Sequence, residues 1–421
     1  MSTLWDPIFG ADRVAVEVDD RAWVRAMLRT EAALARAAAA AGLVDEAAAE
    51  AVAIACTDAD WVMTLESLGV DAATGGNPVI PLVQQLRARV GPANEDAVHV
   101  GATSQDIIDT AAMLVSRGAV GVIVADLSGA ADAAAQLARE HRDTPMAART
   151  LLQQAAPTTF GAVAAGWGTG LDRAVARLST VEFAAQLGGA AGTLAAVYPH
   201  GPAVRRAFAR ELDLTDPEGV WNTERTRIAE LAGALATAAG AAGKVATDVV
   251  LLAQTEVGEV HEAAPGGSSS LPHKQNPIAV VTARAAAAQT PGLAATVYTA
   301  MAGEHQRAAG AWHAEWPALT ALLRWTGGAA ARLRQCLEGL SVDVEAMHQN
   351  LSRTSGLLLA DRVAAHLTPT MGRGGAQQAV RDAARKGNLD ALGVDPELLD
   401  PVTYLGHAGD LVDAYLRGRQ R

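Results

Sequence analysis

Proline is missing from three long stretches of this 421-residue sequence, and that absence limits the folds open to it. Because proline interrupts helix interiors, a stretch without proline permits a very long helix. The proline-free stretches lie between Pro92 and Pro145, between Pro217 and Pro265, and between Pro317 and Pro369.

Within the second stretch, residues 228–260 repeat apolar side chains at spacings of three and four, which indicates a helix. No segment alternates apolar and polar residues between hairpin turns, so little β-sheet is expected. The sequence predicts an all-α chain of three helical domains: a small N-terminal domain (1–110), a central bundle of long helices (111–350) and a C-terminal domain (351–421). Such long helices carry apolar faces on several sides, which favours association of several copies.

Charge and cysteine content exclude several classes of function. The formal net charge of -12 argues against nucleic acid or an anionic membrane as partner, although a local cluster of arginines could hold a small anion. The two cysteines, Cys56 and Cys336, are far apart and lack metal-ligand spacing, so a reducing cytoplasm is expected. The N-terminus does not look like a signal peptide, and Lys244 and Asp248 interrupt the apolar segment 231–252, which predicts a core helix.

Residues 266–277, Gly-Gly-Ser-Ser-Ser-Leu-Pro-His-Lys-Gln-Asn-Pro, carry the clearest chemical signal. Composition alone would allow a surface linker. Removal of a proton next to a carboxylate needs a base and a cluster of cationic or N–H donors. A serine hydroxyl becomes such a base only where positive charge, backbone N–H groups and exclusion of water stabilise its alkoxide. This segment supplies serines, the mobility to close, and a lysine.

This loop resembles the signature G-S-S-x-x-P-x-K-x-N-P of the fumarase/aspartase superfamily at every specified position. Residues 98–106 are similar to the superfamily's first block, H-x-G-x-T-S-x-D, and residues 149–161 resemble the second. The blocks occur in the superfamily's order, and the resemblance spans nearly the whole chain. It implies a lyase-type enzyme without cofactor or metal, acting on a small polycarboxylate as a homotetramer whose active sites are shared between subunits.

The resemblance also implies roles for individual residues. Ser268, the first serine after the glycine, would transfer the proton, and Lys274 would stabilise the substrate carboxylate during catalysis. Substrate contacts are implied for His99, Thr103, Ser104, Gln153, Arg225, Ser269, Asn276 and Arg307. Simpler explanations compete: His99 could be a structural hydrogen bonder, Arg225 a surface ion-pair partner, Thr103 or Ser104 a helix cap, and Trp312 with Trp316 the filling of a helix interface.

Two positions distinguish this chain from adenylosuccinate lyases, which it also resembles. Those enzymes carry a histidine after the Arg-Thr of the second block, which protonates the departing amine, and a glutamate seven residues after the loop lysine, which orients that histidine. Here the corresponding residues are Leu151 and Val281. A carboxylate leaves readily as the anion and needs no such proton. The loss therefore favours the superfamily's cycloisomerases, in which a muconate closes onto its own carboxylate to give a carboxylated muconolactone.

Two alternatives stay open at this point. The chain could be an adenylosuccinate lyase or another eliminase of the superfamily. It could also be a non-catalytic homologue that keeps only the fold, although the intact serine loop argues against that.

Overall fold

The computed structural model describes residues 4–57, 62, 64–267, 270–387 and 389–420, and this part of the chain is mostly helical. Its fourteen α-helices are α1 (Asp12–Val18), α2 (Asp20–Ala40), α3 (Glu46–Thr57), α4 (Leu65–Gly75), α5 (Val79–Val90), α6 (Ser104–Glu140), α7 (Phe160–Ser179), α8 (Gly201–Leu212), α9 (Thr226–Leu252), α10 (Ile278–Ala300), α11 (Ala311–Glu338), α12 (Val344–Ser352), α13 (Ala360–Arg385) and α14 (Ala408–Arg419). The strands are short: β1 (Pro145–Thr150), β2 (Gln153–Thr159), β3 (Val260–His261) and β4 (Ser341–Val342). The all-α prediction is confirmed.

Long helices occupy the proline-free stretches, as predicted. Helix α6 has 37 residues, α9 has 27, and α11, which starts just before its stretch, has 28. Helix α10 shows that proline is not an absolute break, because Pro291 lies inside it. Proline cannot donate to the carbonyl four residues back, which is that of Ala287. The Thr290 hydroxyl donates to this carbonyl at 2.9 Å, so the acceptor is satisfied and the helix continues.

The chain divides into two compact units. The first unit consists of Met1–Ala125, Ala176–Gly240 and Ala285–Ala331. Within it α2 packs against α3 and α8. Leu28 and Leu34 of α2 and Phe208 of α8 are fully buried, so this packing removes large apolar side chains from water.

The second unit consists of Asp126–Val175, Ala241–Arg284 and Arg332–Arg421. It contains the antiparallel hairpin of β1 and β2, in which Thr150 pairs with Gln153, and the small pair of β3 and β4. Its C-terminal part has an apolar cluster formed by Val363, Val380, Ala383 and Leu389. The predicted division into domains at 1–110, 111–350 and 351–421 stays a prediction.

Two helices, Ser104–Glu140 and Thr226–Leu252, are long and apolar enough to cross a membrane by length and composition alone. In their most apolar windows 72% and 44% of the residues are buried inside the protein. The core helix of a soluble protein passes the same test, so these two helices are only weak evidence for a membrane span.

Candidate active site

The first signature block forms the N-terminus of α6. The Asp106 carboxylate accepts the backbone N–H of Thr103 at 3.0 Å, which closes the first turn as a capping box does. It also accepts the N–H groups of Gly188 and Gly189, both at 2.9 Å. Burial raises the pKa of Asp106 to about 6, while these three donors act to lower it. Thr103 and Ser104 are half-buried at this helix start, where the helix dipole favours negative charge. Their predicted contacts with substrate stay predictions.

His99 lies just before this helix in a backbone conformation that few residues adopt. Its φ is 62°, and its Nδ1 lies 2.7 Å from Oε1 of Glu31. The Glu31 side chain is fully buried, whereas the His99 side chain keeps 17% of its surface exposed. Burial acts to lower the pKa of His99, but the Glu31 carboxylate outweighs it, so the pKa lies above its ordinary value. The predicted contact between His99 and substrate stays a prediction.

Glycine is required two residues later in the same turn. Gly101 has φ 66°, and a Cβ added there would lie 2.4 Å from Cγ1 of Val197. Both the backbone conformation and the space therefore exclude a side chain.

Arg225 is almost entirely buried, and all its donors are occupied. Its guanidinium bonds Asp109 through two nitrogens at 2.8 and 3.1 Å, and Nε donates to Glu315 at 3.0 Å. The remaining N–H groups donate to the Trp221 carbonyl and to the second Glu315 oxygen. Since a guanidinium has five N–H donors, none is left for a ligand. This geometry does not favour the prediction that Arg225 binds a substrate carboxylate. Because the side chain is buried, Arg225 is also not a surface ion-pair partner.

Arg307, in contrast, is half-buried. Among the described residues its guanidinium makes one hydrogen bond, to the Ala190 carbonyl at 3.2 Å, which leaves other N–H groups available to a ligand. Its loop is held by Asn222, whose side chain donates to the Gln306 carbonyl. Gln105 of α6 in turn donates to the Asn222 carbonyl at 2.7 Å. The first unit thus brings Arg307 into one hydrogen-bonded assembly with the start of α6.

The structure gives Trp312 a packing role. It is 4% exposed, and its indole N–H donates to Asp109 at 3.0 Å. Its ring meets that of Trp316 edge to face, with centroids 4.7 Å apart. The structural explanation therefore accounts for Trp312 without a ligand.

In the second unit, the signature loop is closed at its neck. Gly266 and Asn276 exchange two backbone hydrogen bonds, at 2.8 and 2.9 Å. The Asn276 side chain adds a third by donating to the Gly266 carbonyl at 3.0 Å. Asn276 thus shapes the loop, and its predicted contact with substrate stays a prediction. Lys274 is exposed. Ser268 and Ser269 lie outside the described residues.

Glu262, which the sequence did not single out, holds the end of this loop, where α10 begins. Its carboxylate accepts the N–H groups of Ala279 and Val280, at 3.2 and 2.9 Å, in the first turn of α10. It also bonds the buried thiol of Cys336, whose pKa burial and Glu262 both raise. Helix caps are recognised in a sequence because the capping residue lies next to the helix start. Glu262 lies 17 residues before the N–H that it caps, so the sequence could not reveal it.

A buried ion pair fixes the hairpin that carries the second block. Arg149 bonds both oxygens of Glu259, at 2.8 and 2.7 Å, and Glu259 is fully buried. Asn350 donates to the same carboxylate at 2.7 Å, and Gln154 donates to the Asn350 carbonyl at 2.9 Å. These bonds hold the base of the hairpin, while Gln153 at its tip is exposed. The role predicted for Gln153 stays a prediction.

The two positions that carry the acid and its partner in adenylosuccinate lyases hold exposed apolar side chains. Leu151 is 97% exposed at the hairpin tip, and Val281 is 43% exposed on the first turn of α10. Leu151 and Leu152 have φ values of 50° and 65°, as a type I′ turn requires of both central residues. Neither Leu151 nor Val281 can donate a proton.

Among the residues that the structure describes, no group of three or more His, Cys, Asp or Glu side chains is placed to hold a metal ion. The prediction that the enzyme needs neither metal nor cofactor stays a prediction.

The second unit thus carries the signature loop with its closed neck, and the first unit carries the start of α6, linked by hydrogen bonds to the loop of Arg307. The profile of a protein family described as Lyase matches residues 8–292. The chain belongs to this family, within the fumarase/aspartase superfamily, and is an enzyme.

Similar proteins cover the whole chain. A 3-carboxy-cis,cis-muconate cycloisomerase of Bradyrhizobium diazoefficiens is 43% identical over 100% of this chain and 99% of its own. A nitrosuccinate lyase of Streptomyces davaonensis is 42% identical over 100% of this chain and 95% of its own. The crystal structure of a 3-carboxy-cis,cis-muconate lactonizing enzyme from Pseudomonas putida has a TM-score of 0.93 at 39% identity, over 100% of this chain and 99% of that one.

Proposed function

We propose that this enzyme converts 3-carboxy-cis,cis-muconate into 4-carboxymuconolactone, in the degradation of protocatechuate. One substrate carboxylate adds to a carbon of the molecule's own double bond and forms the ring C–O bond. The displaced π electrons move to the carbon beside another carboxylate, giving an aci-carboxylate, and a proton is delivered to that carbon. The observation that carries the proposal is the end-to-end likeness to cycloisomerases at 43% identity.

Residues that the structure describes would bind the substrate carboxylates. The start of α6 would offer the Ser104 backbone N–H and the hydroxyls of Thr103 and Ser104 to one carboxylate, since the Thr103 N–H is taken by Asp106. Arg307 offers a guanidinium, which binds carboxylate through two parallel hydrogen bonds, to another. Ser268 would transfer the proton at carbon, and Lys274 would stabilise the charge that develops.

The missing acid supports ring closure. An oxygen nucleophile that is already a carboxylate needs no base, and in reverse it leaves without a proton. Leu151 and Val281, which have no proton to give, are therefore compatible with this reaction. Neither residue can protonate a departing amine.

Nitrosuccinate elimination is a second candidate, favoured by the 42% identity with a nitrosuccinate lyase. Nitrite, like a carboxylate, is stable as the free anion, so this reaction also needs no acid for the leaving group. The exposed Leu151 thus argues against adenylosuccinate but does not separate these two candidates.

Direct comparison of substrates tests the proposal. The purified protein is incubated with carboxymuconate, nitrosuccinate and adenylosuccinate; ultraviolet absorbance follows the first and third, and colorimetric nitrite the second. We expect the highest kcat/KM with carboxymuconate. A higher value with nitrosuccinate would replace the proposal by the second candidate, and turnover of adenylosuccinate alone would refute both.

Ser268→Ala tests the proton-transfer role, with Ser270→Ala as the matched control from the same loop. We expect Ser268→Ala to lose roughly 100-fold or more in turnover with little change in melting temperature, and Ser270→Ala to keep most of its activity. Equal turnover of Ser268→Ala and wild type would remove Ser268 from the mechanism.

We further propose a cytoplasmic homotetramer with three helical domains per chain and sites shared between subunits. Large exposed apolar side chains support association: Leu151 is 97% exposed, Tyr198 85% and Leu152 70%. The free thiols of Cys56 and Cys336 are consistent with a reducing compartment. Sedimentation of the purified protein as a monomer at micromolar concentration would contradict the assembly.

A further inference from the structure

His99 and Glu31 form a dyad whose geometry restricts what the imidazole can offer a ligand. Nδ1 of His99 lies 2.7 Å from Oε1 of Glu31, and the Glu31 side chain is inaccessible to water. The opposite side of the ring has no hydrogen-bond partner among the described residues, and the side chain is 17% exposed. The residue with φ 62° thus holds one ring edge against a buried carboxylate and leaves the other edge accessible.

The buried carboxylate determines which protonation states are possible. An ionised Glu31 at 2.7 Å requires a proton on Nδ1, because a bare nitrogen would face the carboxylate with its lone pair. In the neutral ring the single proton is therefore on Nδ1, and Nε2 can only accept. Only the doubly protonated ring presents an N–H at Nε2, and only that form can donate to a substrate carboxylate.

We propose that His99, held by Glu31, is a proton-gated anion ligand of the active site: protonated, it donates from Nε2 to a carboxylate of the bound polycarboxylate, and neutral, it repels that carboxylate. Glu31 is then a positioning residue that favours the charged form of the imidazole. The location is suitable, since His99 is four residues before the half-buried Thr103 at the start of α6, where the helix dipole favours negative charge. This inference rests on the proposed function only for the class of ligand.

The charges around His99 set the direction of its pH dependence. Glu31 on α2 and Asp106 on α6 favour the charged ring, whereas burial and Arg87 on α5 oppose it, and the balance raises the pKa of His99. Cys56 on α3 also faces Glu31, but burial raises the pKa of its thiol to about 12, so it stays neutral. Affinity for a carboxylate should therefore fall as the pH rises through the raised pKa of His99, about tenfold per pH unit beyond it.

Calorimetric binding of tricarballylate, a saturated tricarboxylate, at a series of pH values from 6 to 9 tests the inference on the whole enzyme. Wild type should bind most tightly at low pH and, above the pKa of His99, take up about one proton per ligand, measured by comparing buffers of different ionisation enthalpy. His99→Gln should bind more weakly and lose this pH dependence. In Glu31→Gln the midpoint should move to lower pH, because burial then acts with less opposition.

His407→Gln is the matched control. His407 also has its Nδ1 2.7 Å from a carboxylate, that of Asp410, but the pair is exposed, and this variant should bind like wild type. Persistence of the wild-type pH dependence in His99→Gln, or an unchanged midpoint in Glu31→Gln, would overturn the inference. If Glu31→Gln does not fold, the wild-type proton count still decides, because absence of proton uptake contradicts a gated ligand.

The two proposals fail separately. Proton-linked tricarballylate binding without turnover of carboxymuconate would refute the proposed function and keep the role of His99. Turnover of carboxymuconate with binding that does not depend on His99 would do the reverse.

Discussion

Replacement of Arg225 by methionine distinguishes the role predicted from sequence from the role that the structure indicates. If Arg225 were a substrate ligand, its replacement would weaken substrate binding and leave the fold intact. In the structure, however, the Arg225 guanidinium lies between two carboxylates, Asp109 and Glu315, with every side chain of the trio at most 4% exposed. Arg225→Met removes the only cation of this trio.

The size of the effect follows from what is left behind. Loss of one partner from a buried ion pair typically costs about 3–5 kcal/mol, because an uncompensated charge stays buried. Here two carboxylates remain, and the Trp221 carbonyl and both carboxylates lose donors. We therefore expect Arg225→Met to lower the free energy of unfolding by about 3–5 kcal/mol at pH 7.

The loss should be smaller at pH 5. Burial already raises the pKa of Glu315, and Asp109 repels its charged form, while Arg225 acts to lower that pKa. Without the guanidinium the pKa must rise further. A carboxyl whose pKa is higher in the folded than in the unfolded state adds stability below the unfolded pKa and loses it as the pH rises through the folded one. Protonation at pH 5 thus restores part of what Arg225→Met loses.

Urea unfolding at one fixed protein concentration measures this difference, since assembly would otherwise shift the midpoint. The double variant Arg225→Met/Glu315→Gln is the control, because it removes one of the two orphaned charges and should recover part of the stability. A wild-type midpoint for Arg225→Met, together with a selectively raised KM, would refute the structural role and restore Arg225 as a substrate ligand.

Three further substitutions test local features. Leu152→Gly should raise the stability of the monomer by about 1 kcal/mol, because glycine adopts φ 65° without strain; urea unfolding at a concentration where the protein is monomeric measures this, and a lower stability there would contradict it. Glu262→Gln should lower turnover and melting temperature together, since a cap is worth about 1 kcal/mol and also holds the loop; unchanged values of both would contradict that role. Arg149→Met should destabilise the protein by about 3–5 kcal/mol because the buried Glu259 loses its cation and keeps only the Asn350 donor, and a loss under 1 kcal/mol would show that the ion pair does not anchor the hairpin.

The fold could be predicted from sequence because its main determinants are local. The absence of proline and the periodicity of apolar residues predict α6 and α9 directly. The hairpin of β1 and β2 was not foreseen, since its turn is Leu151–Leu152 and contains no glycine or asparagine that would signal a type I′ turn. Helix α10 continues through Pro291 because the Thr290 hydroxyl donates to the carbonyl that the proline cannot reach. The general rule that proline interrupts helices does not predict this contact.

Site residues could be predicted only where a motif names them. The sequence does not reveal that Arg225 meets Asp109 and Glu315, because these partners are 116 and 90 residues away. The same holds for His99 and Glu31, which are 68 residues apart. Residue type and spacing indicate that an arginine or a histidine has a structural or functional role. Whether its partner is a ligand or a buried carboxylate is decided by tertiary contacts.

These buried carboxylates also explain how a chain of net charge -12 can hold an anionic substrate. The Asp106 carboxylate accepts three backbone N–H groups. Glu259 pairs with Arg149, and Glu262 accepts N–H groups of the first turn of α10. A carboxylate whose lone pairs are occupied by fixed donors contributes little repulsion beyond its own neighbours, and it orders the segment that supplies those donors. Glu31 differs from these, because its partner can lose a proton. There the charge before the start of α6 depends on the protonation of the imidazole, which is how the His99–Glu31 dyad would couple pH to substrate affinity.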